Sequence, residues 1–239
     1  MYKNFLTFII YGFKNFYNAY NIAYLDLSLK YRRTMIGNGW SILTYLITVS
    51  IISLVWSIIF SFDIKEYFPK VFIGFTTFYF LTSFITGSTE ILYGKYKGII
   101  LSLGVGLNII ILRHIIFLVL EYLMFIPVYI LIILFLGNNI SLSIFLLIPG
   151  LILIIINGYL LTFLFSLLSA RFRDFALFIS SIMGAAFLLT PILWDKERLG
   201  EYENFVYLNP FTSMIEAIRD PLIGEPINPL IYFVLLLLI

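Results

Sequence analysis

Charged side chains inside apolar segments are where this sequence could do chemistry, and Glu121 is the clearest of them. It stands within an otherwise uncharged run from Ile115 to Leu136. An ionised carboxylate at the centre of a bilayer costs about 2.5–3.5 kcal/mol on insertion scales, so a function is the first hypothesis. Glu121 could face a pore, or pair with Arg113 or His114 roughly two turns away. It could equally be protonated and hydrogen-bond to a neighbouring helix.

Four acids near the C-terminal third form the other candidate cluster: Asp195, Glu197, Glu201 and Glu203. Clustered carboxylates could act as general acid and base, which keeps open a membrane-embedded enzyme acting on polyprenyl-linked sugars. The simpler interpretation is a solvated face. Because the chain has no cysteine and the single histidine His114, we expect no metal site and no catalytic triad.

The elements that position these groups are predicted to be membrane-spanning helices. Hydrophobic residues make up 62% of the 239 residues and charged residues 12%, and the mean hydropathy is +1.04. Soluble domains are about 45–50% apolar and about 25% charged. We therefore predict an all-α polytopic membrane protein. The net charge of +2 gives no reason to expect a nucleic-acid partner.

Six apolar stretches are the predicted spans, since a helix needs about 20 apolar residues to cross a bilayer. They are residues 40–62, 71–89, 115–136, 143–168, 175–194 and 229–239. The last rises only about 16 Å as a helix, so we expect the sixth span to be cut short. Residues 63–70 are expected to form a polar turn. Residues 98–112 are apolar but short for a span and interrupted by glycines, so we place the segment 93–112 at the cytoplasmic face.

The lysines and arginines predict the orientation. With the N-terminus in the cytoplasm, ten of them lie inside and five outside. Residues 1–39 are expected to form a cytoplasmic amphipathic helix on the membrane surface. Its apolar stripe at helical spacing is Phe13, Phe16, Tyr17, Tyr20, Tyr24 and Leu27. It leads into Lys30, Arg32 and Arg33, which could touch anionic lipid headgroups or serve only as a topogenic signal.

Residues 195–228 are predicted to be an outside loop that contains short helices. Asn209 is a suitable helix N-cap, and Pro210 suits the first helical position. The helix would run to Arg219. Glu216 and Arg219 are three residues apart and could pair.

Proline and glycine are expected to set the limits of this region. Thr190-Pro191 should kink or break the fifth span. Pro221 and Gly224 should end the loop helix. The short helices would then pack on the outer face or dip back into the membrane.

From about residue 28 onward, the chain resembles the membrane subunit of ABC-2-type polysaccharide exporters, the permeases for O-antigen, capsule and teichoic acid. The order and spacing of six pieces carry the resemblance. They are Tyr31-Arg32-Arg33-Thr34-Met35-Ile36-Gly37 with Trp40, Glu66-Tyr67-Phe68-Pro69, Ala170-Arg171-Phe172-Arg173-Asp174, Leu189-Thr190-Pro191-Ile192-Leu193-Trp194, Leu208-Asn209-Pro210-Phe211, and Glu216 through Gly224. Two positions depart from the family: Asn38 replaces a frequent proline, and Leu120-Glu121 replaces a common His-Asn pair.

The resemblance implies a six-helix ABC-2 transmembrane domain over residues 40–239, working as a homodimer in the bacterial inner membrane. A lipid-linked glycan would pass between the two copies, and an ABC ATPase subunit would bind below. Residues 93–112 would be the segment that couples to the ATPase. The implied coupling residues are Lys30, Arg32, Arg33, Lys95, Lys97, Arg171, Arg173 and Asp174. The implied pore or gate residues are Glu121, Trp194, Asn209, Pro210 and Arg219.

The sequence has no phosphate-binding loop of the form G-x-x-x-x-G-K-S/T. Gly94-Lys95 is followed by Tyr96 and lacks the first glycine. An exporter of this class must therefore borrow its ATPase, so ATP and magnesium are expected on the partner subunit and no cofactor on this chain. Two further transport hypotheses stay open: half of an ABC-2 drug or lipid exporter, and a proton-coupled transporter that uses Glu121.

Overall fold

The protein is described by a computed structural model that covers residues 12, 14–30, 32–92, 106–136, 142–172, 174–226 and 228–237. Helices make up nearly all of these ranges, and short 3-10 helices occur at Gly87–Glu90, Leu142–Leu146 and Lys196–Leu208. The α-helices are α1 Phe16–Lys30, α2 Gly39–Phe60, α3 Ile64–Thr86, α4 Leu107–Leu123, α5 Ile126–Phe135, α6 Leu147–Arg171, α7 Phe175–Leu189, α8 Pro210–Ile223 and α9 Pro229–Leu237.

Within the described ranges, four helical segments are long and apolar enough to cross a membrane. They are Gly39–Phe60, Ile64–Glu90, Leu107–Phe135 and Leu142–Arg171, and α7 is apolar but shorter. This confirms the prediction of an all-α polytopic membrane protein. The central helix is α3, whose mostly buried residues pack against α2, α4, α6, α7 and α8.

The second and third spans begin earlier than predicted. The expected polar turn at 63–70 is wrong beyond Asp63, whose side chain caps α3 by accepting a hydrogen bond from the Lys65 amide at 2.9 Å. The third span begins at Leu107 rather than residue 115. It tolerates Arg113 because an ion pair with Asp26 partners the guanidinium. Of the segment predicted at 93–112, residues 93–105 lie outside the described ranges.

Helix α1 packs lengthwise against α4, and among the described residues of the apolar stripe, which was expected to lie on the membrane surface, only Leu27 is buried. Ala19 and Ala23 are fully buried in a cluster with Ile109, Leu112 and Ile116 of α4. The stripe residues Tyr17 and Tyr24 are instead 74% and 55% exposed. Alanines occupy this contact because their small side chains let the two helix backbones approach closely. Phe13 lies outside the described residues.

Helix α8 lies buried between α3, α6 and α9, although residues 195–228 were predicted as a loop outside the spans. Pro221 was expected to end this helix and does not: the helix continues to Ile223 and ends at Gly224. Gly224 has a φ of 76°, a left-handed conformation that glycine adopts without steric cost.

Gly150 of α6 lies where a side chain would collide with α8, which yields a prediction. A Cβ at residue 150 would approach the carbonyl oxygen of Ala217 to 2.8 Å, whereas a Cβ at Gly184 of α7 meets nothing within 4 Å. We expect Gly150→Ala to destabilise the protein by about 1–3 kcal/mol. The matched Gly184→Ala should be neutral or stabilising by up to about 1 kcal/mol. Melting temperatures of the two detergent-purified variants test this, and equal shifts would contradict it.

Candidate functional site

The candidate functional residues lie at two opposite ends of the helical bundle. Cross-helix contacts show that the start of α2 and the ends of α3 and α6 lie beside α4 at one end of the bundle. Ser41 of α2 donates to Glu121 of α4 at 3.1 Å, and the Thr162 hydroxyl of α6 donates to the Phe84 carbonyl of α3 at 3.1 Å. We call this the basic end. The opposite end, where α8 lies, is the far end.

Five of the predicted coupling residues lie at the basic end, and all five are exposed: Lys30, Arg32, Arg33, Arg171 and Asp174. Arg171 is the last residue of α6, and Asp174 directly precedes α7. Their coupling role stays a prediction. The other three, Lys95, Lys97 and Arg173, lie outside the described residues.

Glu121 lies midway along the Leu107–Phe135 segment, inside a span as predicted, and level with the first turn of α2. Its carboxylate is an ion-pair partner of Lys30 and accepts a hydrogen bond from Ser41 in the first turn of α2. Neither Arg113 nor His114, the partners considered from the sequence, forms this pair. The ion pair ties the C-terminus of α1 to α4 and provides a partner for an acid in a mostly apolar helix.

A second ion pair, not predicted from the sequence, also joins α1 to α4. Arg113 donates through Nε to Asp26 at 2.6 Å, and the Arg113 guanidinium is almost fully buried. The Phe117 ring lies between the two pairs, 5.6 Å from Lys30 Nζ and 6.0 Å from the Arg113 guanidinium carbon. We refer to Asp26, Lys30, Arg113 and Glu121 together as the α1–α4 clamp.

Buried charges at the far end join α8 to the 3-10 helix before it. The Glu216 carboxylate lies 2.9 Å from Lys196 Nζ and 3.6 Å from Arg219 Nη2, which confirms the expected pair between Glu216 and Arg219. Arg219 also lies 3.2 Å from Asp220 and donates to the Pro191 carbonyl at 2.9 Å. Glu216 is completely buried and Arg219 only 3% exposed. These four charged side chains, Lys196, Glu216, Arg219 and Asp220, are the buried charge network.

Burial also changes the pKa of the acid next to Arg219 in the buried charge network. Burial raises the pKa of the Asp220 carboxyl to about 6, because the loss of solvation outweighs the attraction of Arg219. Near neutral pH, the neighbouring guanidinium therefore compensates only part of the cost of ionising Asp220. Removing either a cation or an anion from the network therefore leaves a buried charge without full compensation, which lowers the free energy of unfolding.

The other predicted gate residues meet at the junction between α7 and α8. Asn209 accepts a hydrogen bond from the Phe211 amide at 3.1 Å, as predicted for an N-cap, and donates to the Thr190 hydroxyl at 2.9 Å. Pro210 occupies the first helical position. Trp194 donates from its indole nitrogen to the Leu188 carbonyl at 3.1 Å. These residues gather near Arg219 at the far end, and their role as a gate stays a prediction.

An open cavity of about 510 Å³ lies between α3 and α7. The described residues that line it carry mostly aromatic rings and hydroxyl groups, and none of them is charged: Phe75, Phe78, Tyr79, Thr82, Ser83, Thr86, Ser180, Met183, Gly184 and Phe187. Phe187 packs edge-on against both Phe75 and Phe78, at 5.5 and 5.3 Å between ring centroids. Rings and neutral hydroxyls suit a ligand rich in hydroxyl groups and without charge.

The acidic cluster considered for an enzyme does not assemble around one point. Asp195 pairs with Lys70 at 3.1 Å, while Glu201 is exposed on the 3-10 helix. Over the described part of the chain, three or more His, Cys, Asp or Glu side chains are nowhere arranged to hold a metal ion.

Comparison with known proteins gives two matches. A family model described as ABC-2 type transporter matches residues 22–223, from the middle of α1 to the last residue of α8. The chain is also 27% identical over 224 residues to the O-antigen export system permease protein RfbA of Klebsiella pneumoniae, covering 87% of this chain and 85% of that protein. The family match includes the α1–α4 clamp, the cavity between α3 and α7, and the buried charge network.

Proposed function

This chain belongs to the ABC-2 type transporter family, and on that premise we propose that it is the permease subunit of an ATP-driven polysaccharide exporter. The proposed cargo is a lipid-linked glycan of the O-antigen kind, moved across the bacterial inner membrane. The name of the Klebsiella pneumoniae relative supports this cargo. ATP would be hydrolysed on a separate ABC ATPase subunit.

The cavity between α3 and α7 is the observation that carries this proposal. A lipid-linked glycan offers sugar faces that pack on aromatic rings and hydroxyls that bond to Ser and Thr side chains. Tyr79 is 45% exposed and Phe187 half-buried, so both rings are accessible from the cavity. A drug or lipid exporter would need less of the hydroxyl lining that Thr82, Ser83 and Ser180 supply.

A homodimer would place the two cavities on a shared path. Helix α7 exposes apolar residues, among them Leu177, Phe178 and Leu188. Such a face contacts either lipid or a second copy of the chain. With the second copy, the open side of the cavity would face its counterpart and enclose the glycan path between the subunits.

The basic end would face the cytoplasm and bind the ATPase. Clusters of lysine and arginine favour the cytoplasmic side of membrane proteins, and the exposed Arg32, Arg33 and Arg171 all lie at this end. Together with Lys30, Asp174 and the predicted residues Lys95, Lys97 and Arg173, they are the contacts that we propose for the partner ATPase.

Export by the chain co-expressed with its ATPase tests the function. Because an aromatic contact contributes about 0.5–1.5 kcal/mol, we expect Tyr79→Ala and Phe187→Ala each to reduce glycan export by about 2- to 10-fold. ATP hydrolysis by the complex should persist. Tyr202→Ala is the matched control, since this tyrosine is exposed on the 3-10 helix and outside the cavity.

Two results would contradict the proposal. One is ATP hydrolysis by the purified chain alone, which would place the energy source on this subunit. The other is a complex that exports hydrophobic drugs while lipid-linked glycan stays on the cytoplasmic side.

A further inference from the structure

A second cavity, of about 340 Å³, opens at the far end of the bundle, beside the turn that joins α2 to α3. Asp195 and Glu225, at the two ends of the segment that holds the 3-10 helix and α8, also line it. We call it the far-end cavity. Its volume lies near the lower end of the roughly 300–1,000 Å³ typical of small-ligand sites.

One wall of the far-end cavity is aromatic and held in place. The rings of Phe62 and Tyr67 stack with centroids 4.9 Å apart and an interplanar angle of 26°. The Tyr67 hydroxyl donates to the Leu193 carbonyl at 2.9 Å, which fixes the ring. The Arg198 guanidinium lies over Phe62 at 4.8 Å and over Phe60 at 4.9 Å. Tyr67 is only 5% exposed whereas Phe62 is half-buried, so the apolar surface that these contacts preorganise for a sugar ring is that of Phe62.

Apart from Ile223, the remaining described lining is charged and predominantly acidic. The carboxylates of Asp63, Glu66, Asp195 and Glu225 and the ammonium of Lys70 give these lining residues a formal charge of −3, and Arg198 over Phe62 adds one positive charge beside them. A carboxylate only accepts hydrogen bonds, which suits the hydroxyl and ammonium donors of sugars. The same charge repels carboxylate and phosphate groups on a ligand.

Lys70 connects this cavity to the α8 region. Its ammonium lies 3.1 Å from Asp195 and 3.4 Å from Glu225. A ligand in the cavity therefore contacts the α2–α3 turn and both ends of the 195–225 segment at once.

From this combination we propose that the far-end cavity is a sugar subsite that accepts non-acidic hexose units, neutral or amino-bearing, and rejects acidic ones. This proposal rests on the proposed function, because the hexose is a unit of the exported glycan. The subsite is separate from the cavity between α3 and α7, and it would select the sugar by charge.

Sugar binding to the complex of this chain with its ATPase, in lipid nanodiscs, tests the subsite. The probes are maltotriose, a glucosamine trimer and a galacturonate trimer, with binding followed by saturation-transfer NMR and calorimetry. We expect the first two to bind at least 10-fold more tightly than galacturonate. Phe62→Ala should weaken their binding at least 5-fold. Glu66→Lys should strengthen galacturonate binding, whereas Glu201→Lys, on the exposed 3-10 helix, should leave all three affinities unchanged.

Three results would overturn the subsite. They are equal affinity for the three trimers, no response to Glu66→Lys in a variant with an unchanged melting temperature, and displacement of the sugars by millimolar Ca²⁺, which would mark a cation site. Glycan export by the same complex separates the two proposals. Normal export without trimer binding removes only the subsite, whereas no export with an active ATPase removes the proposed function.

Discussion

Glu216→Ala is expected to lower the free energy of unfolding by about 3–5 kcal/mol, because it leaves the buried Arg219 and the half-buried Lys196 without their shared anion. The Glu216 carboxylate is fully buried between Lys196 and Arg219. The loss should appear as a lower melting temperature of the detergent-purified protein and as lower expression. Glu201→Ala is the matched control, and it should change stability by less than about 0.5 kcal/mol because this side chain is exposed.

A double variant separates charge pairing from packing at this position. Lys196→Met combined with Glu216→Met removes one cation together with the anion and replaces both by apolar side chains. We expect the double variant to be more stable than Glu216→Ala, since a buried ion pair exchanged for apolar groups is often neutral. If the double variant is as unstable as the single one, the cost comes from shape and not from unpaired charge.

Arg113→Asp is expected to produce the second large effect, a loss of glycan export of at least about 10-fold, which corresponds to about 1.4 kcal/mol or more. The substitution places two carboxylates opposite each other where Arg113 now binds Asp26 against α4. Helix α1 should then separate from α4 at the basic end, where the ATPase is proposed to bind. Export by the chain with its ATPase measures the loss.

The reversed pair is the decisive control for the α1–α4 clamp. Asp26→Arg combined with Arg113→Asp restores opposite charges and should recover most of the export that each single reversal loses. Lys14→Glu, which reverses an exposed charge just before α1, should have little effect. If the double variant is folded and still does not recover export, the ion pair does not hold α1 in its working position.

Much of the fold could be predicted from the sequence because transfer into a bilayer depends mainly on local composition. The uncharged run at 40–62 corresponds to α2 at Gly39–Phe60, and the run at 143–168 to Leu142–Arg171. The N-cap at Asn209 and the pairing of Glu216 with Arg219 also follow from neighbours within one helical turn. Such local contacts form in the same way wherever the helix lies in the fold.

The predicted span boundaries were wrong where a distant partner offset the free-energy cost of burying a polar residue. Arg113 argued for a helix that begins after it, yet the helix begins at Leu107 because Asp26 neutralises the guanidinium. Asp63 and Lys65 argued for a turn, yet they form the capped first turn of α3. A hydropathy scale assigns each charged residue a fixed cost, whatever partner that residue contacts in the fold.

By itself, the sequence determined that the chain is a helical membrane protein, and the order and spacing of its motifs carried the resemblance to a transporter family. Only the tertiary structure decided the partners of Glu121, the partner of Arg113 at a separation of 87 residues, and the alanine face that α1 buries. It also brought the walls of the two cavities together. The physical reason is that the free energy of transfer into lipid is a sum over residues along the chain. Which side chains pair depends instead on how the helices cross. The crossing is set by packing between residues far apart in sequence.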